Sequence, residues 1–230
     1  MDKRFSRLEE LYGLDKVNKL KNSCVLVIGL GGVGGYVVES LARSGIGTLI
    51  LVDSDVVDIT NINRQIIATN DTIGKLKTEC FKERIKSINP ECEVKLYSEF
   101  LDESNYSTIL DNNIDFIVDA IDSIKSKELI IKYALENNIK IISSMGTGNR
   151  ENPLQLDIVD IKKTSGDPIA KIIRKFVKDE KISKKVLVLS STELPIKTGE
   201  RTPGSSAFVP AAAGLLIGSY VVRDFIGKEK

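Results

Sequence analysis

The sequence predicts an α/β chain built on a doubly wound, mostly parallel sheet that antiparallel strands extend in the carboxyl-terminal part. Three observations carry that expectation. Short, nearly all-apolar runs alternate with stretches of helical periodicity through the first 150 residues. The first of these runs enters the glycine cluster Gly29-Leu30-Gly31-Gly32-Val33-Gly34. Beyond Arg150 the texture changes to apolar–polar alternation, as in Leu154-Gln155-Leu156-Asp157-Ile158-Val159.

Taken in order, residues 25–29 form a buried strand and 33–44 a helix closed by Gly45 and Gly47. Residues 48–53 are a second strand. The spacing of Leu76, Cys80, Phe81, Ile85 and Ile88 predicts a helix over 74–88 that stops before Asn89-Pro90. Strands follow at 94–97 and 115–119, a helix at 126–137 and a fifth strand at 140–143. The alternating strand at 154–159 can pair with 185–190. Between them Asp167-Pro168 reads as an N-cap and first helical residue, ahead of an apolar stripe of Ile169, Ile172, Ile173, Phe176 and Val177. Residues 198–206, rich in Gly, Pro, Ser and Thr, read as a mobile loop. Residues 207–226 are apolar but hold Pro210, Ser219, Tyr220, Arg223 and Asp224, so they read as a buried terminal helix. Membrane association through this segment is the weaker alternative. The whole chain, 1–230, reads as a single domain, with a nucleotide-binding part over 1–150 and a substrate- and dimer-supporting part over 151–230.

Composition limits the chemistry. The 230 residues carry 33 Lys plus Arg against 32 Asp plus Glu, so nucleic-acid binding needs a local patch and not a global field. There is no histidine, which removes His-based catalysis and the commonest zinc ligand. The three cysteines, Cys24, Cys80 and Cys92, form no Cys-x-x-Cys pair and read as reduced thiols of a cytoplasmic protein. Cys24 lies in an apolar run and reads as structural. Met1-Asp2-Lys3-Arg4 lacks an apolar signal core.

Gly29, Gly31, Gly32 and Gly34 between a strand and a helix offer free backbone amides to phosphate. Asp53, at the end of the second strand, is placed to accept hydrogen bonds from ribose hydroxyls. An NAD-dependent oxidoreductase fits those features equally well. The next segment separates the readings. Asp55, Asn61 and Arg64 precede Ile73-Gly74-Lys75-Leu76-Lys77 at a helix start. A fork-shaped guanidinium at Arg64 and a point charge at Lys77 suit a departing pyrophosphate. Asp119-Ala120-Ile121-Asp122 ends the fourth strand, and paired carboxylates beside a triphosphate suit magnesium.

As an ensemble, the glycine loop, Asp53, Asn61-x-x-Arg64-Gln65, Lys77 and Asp-x-x-Asp at 119–122 resemble the ubiquitin-activating-enzyme-like adenylyltransferases. The resemblance implies a Rossmann-like fold, ATP with Mg²⁺, and a homodimer with two ATP sites. It implies that Gly31 lines the phosphates and Asp53 holds the ribose. Asn61, Arg64 and Lys77 would hold the triphosphate, with Asp122 on magnesium. Arg4-Phe5-Ser6-Arg7 is similar to the family's Arg-aromatic-x-Arg element, which implies that Arg7 reaches the neighbouring subunit's site. The Cys-x-x-Cys zinc pairs common among sulfur-carrier activators do not occur, and no cysteine follows Arg150 to take an acyl group.

The second half, through Ser165-Gly166-Asp167-Pro168-Ile169-Ala170, Arg174, Ser191-Thr192-Glu193, Gly204-Ser205 and Phe208-Val209-Pro210, looks like the tRNA threonylcarbamoyladenosine dehydratases. That resemblance implies activation of a threonylcarbamoyl carboxylate on tRNA. A monovalent cation and a sulfur-transfer partner remain open. Residues 160–185 hold nine Lys/Arg against four Asp/Glu, and Lys171, Arg174, Lys175 and Lys178 share one helix face that suits a phosphate backbone. The alternatives are an adenylyltransferase of a ubiquitin-like sulfur carrier, an NAD-dependent oxidoreductase and a non-catalytic nucleotide sensor.

Overall fold

Strands that are apolar on both faces need helices on both sides, and the chain supplies them. The computed structural model describes residues 3–110, 113–200 and 202–228, so Met1, Asp2 and Arg201 of the segments read above lie outside the described residues. The strands are β1 (Cys24–Ile28), β2 (Thr48–Val52), β3 (Glu93–Tyr97), β4 (Phe116–Asp119), β5 (Lys140–Ser144), β6 (Leu156–Asp160) and β7 (Leu187–Ser191). They form one sheet in the order β3-β2-β1-β4-β5-β7-β6. Every pairing is parallel except that of β6 with β7, where Leu156 faces Ser191 and Asp160 faces Leu187. The expected α/β class, parallel core and antiparallel extension are all present.

Among the described residues eight α-helices accompany the sheet: α1 (Ser6–Tyr12), α2 (Leu14–Lys21), α3 (Gly34–Arg43), α4 (Lys77–Ile88), α5 (Tyr106–Leu110), α6 (Ile124–Glu136), α7 (Pro168–Asp179) and α8 (Phe208–Phe225). Successive strand side chains point to opposite faces. Val25 and Val27 of β1 therefore enter a core with α2, α3, α4 and α8, while Leu26 and Ile28 enter a second core with α5, α6 and α7. The result is a three-layer arrangement whose central strands are shielded on both sides.

Most elements fall within a residue or two of the expectation. Helix α4 starts three residues late, because Gly74 has φ +82° and Leu76 bridges Val56, so residues 74–76 return toward β2 before the helix begins. β6 starts at Leu156, since Pro153–Gln155 form a 3-10 turn capped by the Asn152 side chain. Ile172, assigned above to the apolar stripe of α7, is 44% exposed, whereas Ile173 and Val177 are buried. Helices α1, α2 and α5 escaped the sequence reading. α2 buries only Val17 and Leu20 and α1 buries nothing, so neither shows a long apolar stripe. By length and composition α8 could cross a membrane, but half of it is buried, with Val209, Ala213, Ile217 and Val221 in the core.

Candidate active site

β1 and β4 are neighbours in the sheet, and the chain order reverses between them. In such sheets ligands bind beyond the strand carboxyl ends at this switch point. Here that position opens into a cleft of about 830 Å³. One wall comes from the ends of β1 and β2, the segment 53–65 and the start of α4. The other comes from the loops after β5 and β7 and the start of α7.

The glycine loop forms the floor of the first wall. Gly29 has φ +86°, and a Cβ there would stand 2.6 Å from the Ala120 carbonyl oxygen. A Cβ on Gly34, the first residue of α3, would lie 1.7 Å from the Gly29 carbonyl oxygen. Both positions demand glycine because strand end, loop and helix start are in contact. Gly31 lines the cleft with space above it, and Gly32 faces Arg64 and Pro210.

Asp53 fastens this loop. Its Oδ2 accepts from the Leu30 N–H at 2.6 Å and its Oδ1 from the Asp55 N–H at 2.8 Å. The carboxylate expected to hold a ribose thus first shapes the phosphate loop. Lys77, the first residue of α4, is only 4% exposed, which rules out a solvated surface cation. Its Nζ lies 2.7 Å from Asp55 and 3.8 Å from Asp53. Asp58 and Asn61 form a reciprocal capping box, which buries Asn61 at the cleft wall. One turn on, Arg64 Nη1 donates to the Thr60 carbonyl oxygen (2.7 Å) and to Asn63 Oδ1 (2.9 Å). Gln65 also lines the cleft, is 7% exposed, and leaves its Oε1 buried with no hydrogen-bond partner among the described residues. An orphaned acceptor beside a glycine loop is the mark of a site that a polar ligand or water completes.

The paired-carboxylate reading of Asp119 and Asp122 needs a correction. Asp119 is fully buried, with Lys127 Nζ at 2.8 Å and the Ser143 hydroxyl donating to it. Lys127, also fully buried, donates further to Ser143 Oγ and to the Ser144 carbonyl oxygen. Asp119 is therefore neutralised inside the protein and unavailable to a metal. Asp122 is exposed on the cleft wall and makes no ion pair among the described residues.

The opposite wall rests on Arg150, 3% exposed, which the sequence reading missed. It donates to the Gly146 carbonyl oxygen (3.0 Å), the Glu193 carbonyl oxygen and Asp167 Oδ2 (2.9 Å). Asp167 caps α7 as expected, through Oδ1 and the Ala170 N–H at 2.8 Å. The Glu193 carboxylate accepts from the N–H groups of Glu151 and Asn152. Three loops far apart in sequence are thus tied together. The sequence signals were the Asp167-Pro168 cap and Ser191-Thr192-Glu193, and neither points to Arg150.

Lys171, Lys175 and Lys178 are exposed on α7. Arg174 is half-buried and donates to the carbonyl oxygen and hydroxyl of Thr164, so it braces the loop before α7. Arg7 is exposed on α1, lies 3.9 Å from Glu10 and is outside the cleft lining. Burial pushes the thiols up: Cys24 to about 11, Cys92 to about 12, and Cys80 upward as well.

Fold and cleft together define an α/β protein in which cations and free amides converge on a glycine loop at a strand switch point. The chain belongs to the ThiF family, whose family model matches residues 5–179. It is similar to the tRNA threonylcarbamoyladenosine dehydratase of Bacillus subtilis, with 42% identity covering 97% of this chain and 94% of that protein. It is 44% identical to the Haemophilus influenzae protein of the same name, over 78% of this chain and 69% of that protein. Among solved structures it is similar to Escherichia coli tRNA N6-threonylcarbamoyladenosine dehydratase in complex with ATP, with a TM-score of 0.92 and 34% identity, covering 98% of this chain and 94% of that one.

Proposed function

We propose that the chain is an ATP-dependent tRNA threonylcarbamoyladenosine dehydratase. A carboxylate oxygen of the threonylcarbamoyl group attacks the α-phosphorus of ATP. The bond from that phosphorus to the bridging oxygen breaks, and pyrophosphate leaves. An atom of the carbamoyl group then attacks the activated acyl carbon, loses its proton and closes a ring. AMP departs with one of the original carboxylate oxygens, so the nucleoside loses the elements of water.

The observation that carries this reading is the buried Lys77, which lines one cleft with Arg64 and the glycine loop in a chain that matches named dehydratases along nearly its whole length. Arg64 and Lys77 stabilise charge as pyrophosphate leaves. Asn61, Gly31, Gln65, Asp53 and Asp55 all line this cleft, and in this reading Gly31 and Asn61 meet the phosphates and Asp53 the ribose. Asp122 would hold Mg²⁺ together with phosphate oxygens, and the ion would offset their charge. Thiols raised toward 11 and 12 are protonated at neutral pH and make poor nucleophiles, which favours ring closure within the substrate over transfer through cysteine. The protein acts as a cytoplasmic homodimer in which Arg7 completes the partner's site, and α7 meets the tRNA. A sulfur-transfer protein and a monovalent cation are further candidates for binding.

The test is to incubate the protein with ATP, Mg²⁺ and threonylcarbamoyl-modified tRNA, then digest the tRNA to nucleosides for mass spectrometry. Loss of one water from the modified nucleoside, with AMP and pyrophosphate formed, is expected. Activation of a carrier peptide ending in Gly-Gly, with no change in the tRNA, would replace this reading with sulfur-carrier adenylation. Mixing inactive Arg7→Ala and Lys77→Ala subunits should restore part of the activity. No recovery, with subunit exchange demonstrated, would remove Arg7 from the partner's site.

A further inference from the structure

Residues 198–206 were expected to be a mobile loop, yet the segment between β7 and α8 that contains them is fastened at two points. Asn149, on the loop after β5, holds it three times. Its N–H donates to the Gly204 carbonyl oxygen at 2.8 Å, its Oδ1 accepts from the Gly204 N–H at 2.6 Å, and its carbonyl oxygen accepts from the Ile196 N–H at 2.8 Å. Asn149 adopts φ 56° to do so, and a Cβ on neighbouring Gly148 would lie 2.8 Å from Pro203. The second fastening comes from the other wall. Asn63 Nδ2 donates to the Ser205 carbonyl oxygen at 2.9 Å. Pro195 and Pro203 line the cleft, so this strap spans from the acyl wall to the nucleotide wall.

Asn63 has two partners. The same carboxamide that holds Ser205 accepts, through Oδ1, from Arg64 Nη1 at 2.9 Å. In this geometry Arg64 rests on Asn63 and on the Thr60 carbonyl oxygen. Both acceptors share Nη1, so a guanidinium that turns its Nη1 edge onto phosphate oxygens leaves one or both of them. Oδ1 then loses its charged donor, and among the described residues the single bond to Ser205 is left to orient the exposed carboxamide. The Ser205 end of the strap is therefore set by where Arg64 points.

We propose that Asn63 is a positioning residue that couples nucleotide binding at Arg64 to the strap over the acyl-substrate side of the cleft. The proposal rests on the cleft being an ATP site, but not on which carboxylate is activated. ATP makes the strap looser at Ser205 and opens the path to the substrate wall. An acceptor-only side chain at position 63 can keep Arg64 but cannot donate to Ser205, so Asn63→Asp separates the two functions of the residue, and Asn63→Ala removes both.

Amide hydrogen exchange over residues 202–206, with and without a non-hydrolysable ATP analogue and Mg²⁺, tests this without any RNA. In the wild type the analogue should speed exchange there by about three- to tenfold, the scale of one net hydrogen bond. In Asn63→Asp and Asn63→Ala the strap should already exchange fast and no longer respond, and Asn63→Asp, whose carboxylate holds Arg64 by a charged bond, should bind the analogue more weakly than Asn63→Ala. Wild-type exchange that ignores the bound analogue, or an undiminished response in both variants, would overturn the coupling. Failure of the wild type to dehydrate modified tRNA would refute the proposed activity and leave this exchange result standing.

Discussion

The two walls of the cleft are built on different principles. On the nucleotide wall the polar residues are neighbours in sequence: the glycine loop, the Asp53–Arg64 segment and Lys77 follow two adjacent parallel strands. On the substrate wall the polar residues meet from a distance. Arg150 reaches Asp167 and Glu193, Asn149 reaches Gly204, and Asn63 crosses to Ser205. A wall of local motifs can change one residue at a time. A wall of long-range ties depends on the loops arriving together, so damage there spreads.

Between the walls lies the buried Lys127–Asp119 pair, and breaking it should have the largest effect. Lys127→Met leaves a carboxylate with 0% exposure and no cation, which should cost about 3–5 kcal/mol in urea unfolding. The double variant Lys127→Met/Asp119→Asn should recover part of that loss. Equal destabilisation in both would mean that packing, and not charge, holds this point.

Next come the nucleotide-wall cations. Arg64→Ala and Lys77→Ala should fold normally and lose about a hundredfold or more in pyrophosphate release, because their charge acts on the leaving group. Near-wild-type turnover in either would remove that residue from the chemistry.

The α7 surface should give a smaller effect. Arg174 braces Thr164, so the clean variant changes only Lys171, Lys175 and Lys178 to Glu. It should weaken tRNA binding by about tenfold or more, flatten its salt dependence, and leave ATP binding unchanged. Unaltered tRNA binding would place the RNA surface elsewhere. The smallest effect is expected at Cys92, which is 6% exposed and raised to about 12: under native conditions at neutral pH it should resist alkylation. Rapid labelling would mean that the core shared with α2, α3, α4 and α8 opens readily around β3.

The same contrast explains what the sequence made legible. The parallel strands, glycine loop and Lys77 could be read because parallel strands are apolar runs and their binding residues follow at once. Asp119 was misread because a carboxylate at a strand end looks alike whether it faces a ligand or a buried lysine. Nothing in the periodicity of Ile124–Glu136 tells that Lys127 turns inward. Arg150 and Asn149 were illegible for a related reason, since their partners, Gly146 apart, lie 17 to 55 residues away. Helix α1, which buries no residue, has too little apolar pattern to announce itself.

The central claim is that a carboxylate is joined to the α-phosphorus of ATP in this cleft. Modified tRNA carrying heavy oxygen in the threonyl carboxylate tests it most directly. After reaction with ATP and Mg²⁺, the account predicts one heavy oxygen in the phosphate of the AMP produced and none in the pyrophosphate. Unlabelled AMP, or label in inorganic phosphate beside ADP, would contradict it.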